Sequence, residues 1–385
     1  MSATYDVIVV GVGAMGAATC WQLARRGARV LGLEQFDLPH TRGSSHGYSR
    51  VTRTAYYEHP DYVPLLRRSH ALWAELERET EEKILHLVGG LYLGRPQSEL
   101  VAGSLQAARQ HALPHQLLEH GALSRRFPQF TVPEDWIAVF EPDAGYLLPE
   151  LAIASFVTAA LRRGATIHGH EEVLSWQPDA AGVNVSTTRG SYRAAQVVFC
   201  GGAWSSQLVR DLGLPLVVTR QVMAWVWPRT PALFEPGSFP VWMIDRPAGG
   251  VYYGFPLTTL SPGLKIALHA PLQPADPNRV ERGIQPEDEE TFRPCLRQFL
   301  PEADGPLLAL RTCLYTNSPD AHFILDRHPR HARVWLAAGF SGHGFKFATV
   351  IGEALADFAL CGTSALPIGF LGLKRFGEKP LSRIT

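Results

Sequence analysis

The stretch from Tyr5 to Glu34 constrains this chain more than any other. Residues 6–10 (DVIVV) are apolar and β-branched, as a strand covered on both faces must be. They run into Gly11-Val12-Gly13-Ala14-Met15-Gly16, after which Ala14, Ala17, Ala18, Trp21 and Ala24 recur at helical spacing. Gly11 is read as the tight turn, Gly13 as the point where backbone approaches a pyrophosphate, and Gly16 as the close contact of helix on strand. The helix start offers a phosphate free N–H groups and the positive end of a dipole. Gly27 stops the helix, and a second apolar run over 28–33 delivers Glu34 to where a carboxylate accepts hydrogen bonds from an adenosine ribose. An acid there argues against a 2′-phosphate and leaves NAD and FAD both open.

At 385 residues the chain is long for one core, so two interleaved units are expected. Its 36 basic and 36 acidic residues cancel, so bulk charge points to neither nucleic acid nor a membrane surface. No apolar run reaches the ~20 residues of a membrane span, and a small-molecule partner is expected. The first strand begins almost at once with no secretory pattern before it, so the expected location is cytoplasmic. Cys20, Cys200, Cys295, Cys313 and Cys361 are scattered and show no CxxC spacing, which suggests reduced thiols and no metal site. The last four residues, 382–385, are no peroxisomal address.

The rest of the chain alternates in a way that continues the opening. Residues 41–53 form a polar, glycine-containing loop, followed by an amphipathic helix carrying Tyr62, Leu65, Leu66, Leu72, Trp73 and Leu76. Residues 84–142 read as an insertion of short strands and helices. A helix begins at Pro149, strands follow over 165–168, 183–186 and 196–200, and the last of these enters Gly201-Gly202. From 217 to 269 the pattern is that of an antiparallel sheet. An acidic helix start lies near Pro286. The strand 334–338 then leads to a glycine-rich turn over 339–347 and a final helix over 350–360. The expected class is α/β, α+β overall.

The loop 47–53, the segment Tyr253-Gly254-Phe255-Pro256, Lys265, the run 313–320 (CLYTNSPD) and the turn 339–347 (GFSGHGFKF) resemble the monomeric sarcosine oxidase and N-methyltryptophan oxidase family of FAD-dependent amine oxidases, in order and over nearly the whole chain. The resemblance implies a doubly wound FAD-binding domain assembled from 1–83, 145–216 and 326–385. Interleaved with it is a substrate-binding domain, 84–144 and 217–325, on a mainly antiparallel sheet. It implies oxidation of the C–N bond of a secondary α-amino acid to an imine that water hydrolyses, with O2 reduced to H2O2, by a monomer. It also implies FAD attached covalently through its 8α-methyl group to a cysteine thioether at Cys313 (8α-S-cysteinyl). That attachment needs a thiolate, so cations are expected nearby.

Other residues take their roles from the same resemblance. Arg50 is expected near the flavin ring, His46 in flavin linkage, and Arg53 with Lys346 on the substrate carboxylate, for which arginine's planar fork is suited. Lys265 is expected to activate O2 through a fixed positive charge; by spacing alone it is equally an edge-strand lysine with its amine in solvent. Tyr253 and His269 are expected near the substrate amine, though His269 also reads as a satisfied structural histidine. Gly342 and Gly344 are expected to aim backbone N–H groups at the flavin pyrimidine, with His343 structural. Residues 241–246 and 258–262 depart from the family pattern. They leave the substrate open among sarcosine, bulkier N-methyl amino acids and cyclic imino acids. An NAD-dependent dehydrogenase and a non-catalytic flavin-binding protein are the rival readings.

Overall fold

The strand Thr4–Val10 lies at the centre of a parallel array, with Val30–Leu33 on one side and Gly190–Phe199 on the other. Thr166–His168 and Val334–Ala338 extend the array in parallel at its two ends. The structure, a computed structural model, describes residues 4–270 and 273–377, so the segment 382–385 lies outside it. Val7, Ile8 and Val9 are wholly buried because both faces of this sheet are covered, which is why the sequence there shows no alternation. On one face pack the helices Ala14–Arg25, Tyr62–Thr80, Pro149–Arg162 and Ala348–Cys361. Phe156 lies 5.5 Å from Trp21 and 5.3 Å from Trp73, ring centre to ring centre, joining three of these helices. A Cβ on Gly352 would lie 2.6 Å from the Ala18 backbone, so the first and last helices meet at a small-residue contact.

A second, eight-stranded sheet runs in the order Leu307–Asn317, Val217–Val226, Leu264–His269, Val251–Gly254, Val241–Asp245, Gly90–Gly94, Ile137–Glu141 and Gln116–Glu119. Its pairs are antiparallel except Val241–Asp245 with Gly90–Gly94. The insertion over 84–142 thus completes this sheet, and the two share a core of Leu91, Trp242, Ile266 and Phe299. A small third sheet joins Arg50–Thr52, Gly145–Leu147 and Leu85–Leu87.

Some local expectations shift. The helix start near Pro286 is a 3-10 segment, Pro286–Thr291, before the helix Arg293–Phe299. The end of the glycine turn, Phe345–Phe347, is a 3-10 segment that runs straight into the last helix, Ala348–Cys361. The strand Ile324–Arg327 pairs with Val334–Ala338 and so straddles residue 326, where the sequence reading begins its last FAD segment. All five cysteines are free. Among the described residues no helix is long and apolar enough to cross a membrane.

Candidate active site

At the C-terminal ends of the parallel strands lies a cavity of about 660 Å³, lined by Gly11, Gly13, Glu34, Ser44, Cys200 and Gly339 among others. This is where ligands bind in open α/β sheets. The glycine turn is built from close backbone contacts: a Cβ on Gly16 would lie 1.8 Å from the Gly11 carbonyl oxygen, and one on Gly11, whose φ is 86°, 2.6 Å from that of Cys200. Gly13 is different. A Cβ there meets no protein atom within 4 Å, leaving the first turn of the helix Ala14–Arg25 open to a ligand. The Glu34 carboxylate accepts hydrogen bonds from the Val12 and Phe36 amides at 2.8 and 3.1 Å, which holds an acid at the cavity wall despite its burial. The Thr316 hydroxyl, also on the wall, is buried without a partner. The cavity's size, glycine cradle, helix start and acid fit a dinucleotide.

A smaller cavity of about 60 Å³ adjoins the first, and Arg50, Tyr315, Gly342 and Phe345 line both. A Cβ on Gly342, whose φ is 78°, would fall 2.3 Å from the Tyr315 ring, so only glycine lets this turn close against the tyrosine. The small cavity gathers residues from four separate parts of the chain: Arg53, Tyr253, His269, Cys313 and Lys346 all line it. Arg53 is 2% exposed, lies over the Tyr56 and Tyr57 rings and grips Glu58 at 2.6 Å. Burial alone raises the Glu58 carboxyl, but Arg53, then His343 and Lys346, pull it down to about 2. Lys346 is 5% exposed, with Nζ on the His343 carbonyl at 2.7 Å; desolvation and then Arg53 bring its amine down to about 7. Desolvation likewise brings His269 down to about 4. His343, also on the wall of the small cavity, is tied by Tyr56 and by the Ala321 carbonyl at 2.9 Å.

Around Cys313 the expected cation is present: Arg50 Nη2 lies 3.7 Å from Sγ and donates to the Ser44 carbonyl at 2.7 Å. Arg50 Nη1 meets Met223 Sδ at 3.6 Å. Three expected site residues line neither cavity. Gly16 serves packing within the glycine turn. His46 is 1% exposed with both ring nitrogens unpartnered, and desolvation, then Arg50 and Lys265, bring it down to about 3. Lys265 is 1% exposed and its amine donates to the Gly47 and Ser49 carbonyls at 2.7 Å each, beside the Phe255 and Trp225 rings; burial and then Arg50 push its pKa well below the ordinary lysine value. It is therefore no solvent-facing edge lysine. Sequence reasoning missed Glu58, an acid with no pattern to mark it as buried, and Tyr315, which lay inside a quoted motif without a role. Asp211 and His331, on the wall of the large cavity, cluster with His328, but Arg330 Nη2 already pairs the Asp211 carboxylate at 2.6 Å.

A family model described as FAD dependent oxidoreductase (DAO) matches residues 6–358. The chain is 44% identical over 383 residues to a monomeric sarcosine oxidase of Streptomyces avermitilis, covering 99% of this chain and 100% of that protein. It is 37% identical over 374 residues to an N-methyl-L-tryptophan oxidase of Yersinia pestis, covering 97% and 99%. The solved structure of NikD, described as an unusual amino acid oxidase essential for nikkomycin biosynthesis, matches with a TM-score of 0.84 at 28% identity, over 96% of this chain and 97% of that one.

Proposed function

The chain belongs to the FAD-dependent oxidoreductase family, and we propose that it oxidises the C–N bond of a small secondary α-amino acid to an imine, with O2 reduced to H2O2. The observation that carries this reading is the pair of buried cations, Arg53 and Lys346, in a small cavity that shares Arg50, Tyr315, Gly342 and Phe345 with the dinucleotide cavity. Glu58, on the same wall, offsets Arg53, so Lys346 leaves one net positive charge in this small space, which suits a carboxylate that a simple amine lacks. Bound FAD supplies the two-electron acceptor. Gly11, Gly13 and Glu34 hold its adenosine and pyrophosphate end, and the Gly342–Gly344 backbone its pyrimidine end. Arg53 and Lys346 orient the substrate carboxylate. His269, neutral above about 4, accepts a hydrogen bond from the substrate nitrogen, and Tyr253 fixes its direction. Lys265 provides the fixed charge for O2, and Arg50 stands by the flavin ring.

The division into an FAD-binding domain (1–83, 145–216, 326–385) and a substrate-binding domain (84–144, 217–325) belongs to this reading. So does a monomer, in keeping with the relative's name. The five free cysteines suit the cytoplasm. An O2-uptake and peroxide screen across N-methyl amino acids, cyclic imino acids and glycated amino acids tests the reaction; flavoprotein that consumes no O2 with any of them refutes it.

Attachment of FAD at Cys313, with Arg50 beside the sulfur and His46 assisting, has its own test. Acid-precipitated protein is expected to keep its yellow colour in the pellet and Cys313→Ser to release it into the supernatant; release from the unaltered protein ends the thioether reading. Carboxylate binding should also depend on pH. Lys346 is charged below about 7 and neutral above, so a carboxylate lacking an amine, such as propionate, is expected to bind more weakly as pH rises through that value. Flavin absorbance reports the binding, and in Lys346→Met that step in the profile should vanish.

A further inference from the structure

The turn that receives Lys265 is itself held by a carboxylate from another element. Glu150, in the first turn of the helix Pro149–Arg162, accepts the Gly47 amide at 2.5 Å and the Tyr48 amide at 3.2 Å. Both residues have left-handed backbone, with φ of 100° at Gly47 and 66° at Tyr48. For tyrosine that conformation is strained and needs its surroundings to hold it. The carbonyls of the same turn, at Gly47 and Ser49, are the two acceptors of the Lys265 ammonium. Arg311 adds a side clamp by donating to the Tyr48 hydroxyl at 2.7 Å.

We infer that Glu150 is the positioning residue for Lys265: it locks the Gly47–Ser49 turn so that two carbonyls grip the amine, and it sets a negative charge across that turn from it. This rests on the role given to Lys265 above. The charge balance around the amine explains why such a group is needed. Arg50, on the strand Arg50–Thr52, opposes the charged amine, whereas Glu150 favours it. His46, on which Lys265 and Arg311 both act, lies near, and the Trp225 and Phe255 ring centres stand 5.7 and 4.8 Å from the amine. Burial disfavours the charged form, so neutral carbonyls alone leave the ammonium opposed by Arg50.

The chain has five lysines, so a ¹³Cε-lysine NMR titration of the holoenzyme can follow Lys265, assigned by its loss in Lys265→Met. Glu150→Gln keeps an oxygen for the two amides and removes the charge. Its Lys265 midpoint is expected to fall by about one pH unit. The pH profile of reoxidation by O2 should shift with it, while reduction by substrate changes by less than about twofold. Glu150→Asp keeps the charge but withdraws it by one methylene and should give a smaller downward shift, and it serves if the glutamine variant does not fold. An unchanged Lys265 midpoint in either variant overturns the part assigned to Glu150. An unchanged reoxidation rate in Lys265→Met overturns instead the role of Lys265 on which it rests.

Discussion

Lys265→Met is expected to slow reoxidation of the reduced enzyme by O2 by about 10²–10³-fold, while reduction by substrate changes by less than about threefold. Negative charge develops on oxygen as it accepts electrons, and a buried cation that does not have to reorganise stabilises it most in a site shielded from water. The amine is 1% exposed, its tether lies in the sheet strand Leu264–His269, and two carbonyls fix its direction. The substitution should not unfold the protein. The Gly47 carbonyl keeps the Ser49 amide at 2.8 Å, the Ser49 carbonyl keeps Arg50 Nη1 at 2.9 Å, and methionine fills a similar volume without a buried charge. Stopped-flow measurement of the two half-reactions checks the split, and equal slowing of both refutes the role.

Arg53→Ala should raise the substrate KM by about 10²-fold and destabilise the protein by about 3–5 kcal/mol, because it removes a carboxylate ligand and strips the buried Glu58 of its main partner. The two effects can be separated. In Arg53→Met combined with Glu58→Gln no unpaired carboxylate remains, so stability should largely return while KM stays high. Acid gives a second signature. The Glu58 carboxyl lies at about 2 in the folded protein against an ordinary 4.5, so the pair's contribution is complete above about 4.5 and is lost as pH falls towards 2. In Arg53→Ala burial acts on Glu58 with less opposition, so that loss should shrink or reverse. Denaturant melts from pH 6 to pH 3 follow it, and an unchanged KM removes Arg53 from the carboxylate site.

Much of the molecule was legible where chemistry is local. The glycine turn, the strands flanking it and Glu34 could be read because each is set by neighbours within about thirty residues: a both-faces-buried strand needs an apolar run, and a close backbone approach needs glycine. The partners of the insertion over 84–142 were not legible. Gly90–Gly94 pairs with Val241–Asp245 some 150 residues later, and nothing in either run names the other. The site followed the same rule. Cys313, Arg53, Lys346 and Lys265 stood out only through resemblance to a family, since a charged residue in an apolar run looks the same whether its head meets solvent or a buried acceptor.

By itself the sequence determined that the chain opens with a dinucleotide-binding strand, turn and helix, because backbone sterics and hydrophobic period allow little else at Gly11, Gly13 and Gly16. The tertiary structure alone decided what surrounds each charge. It brought Glu58 under Arg53, the Gly47 and Ser49 carbonyls onto Lys265, and Glu150 onto the amides of that same turn. The reason is that the free energy of a buried charge depends on the few ångströms around it, and those are filled by residues the chain order keeps apart.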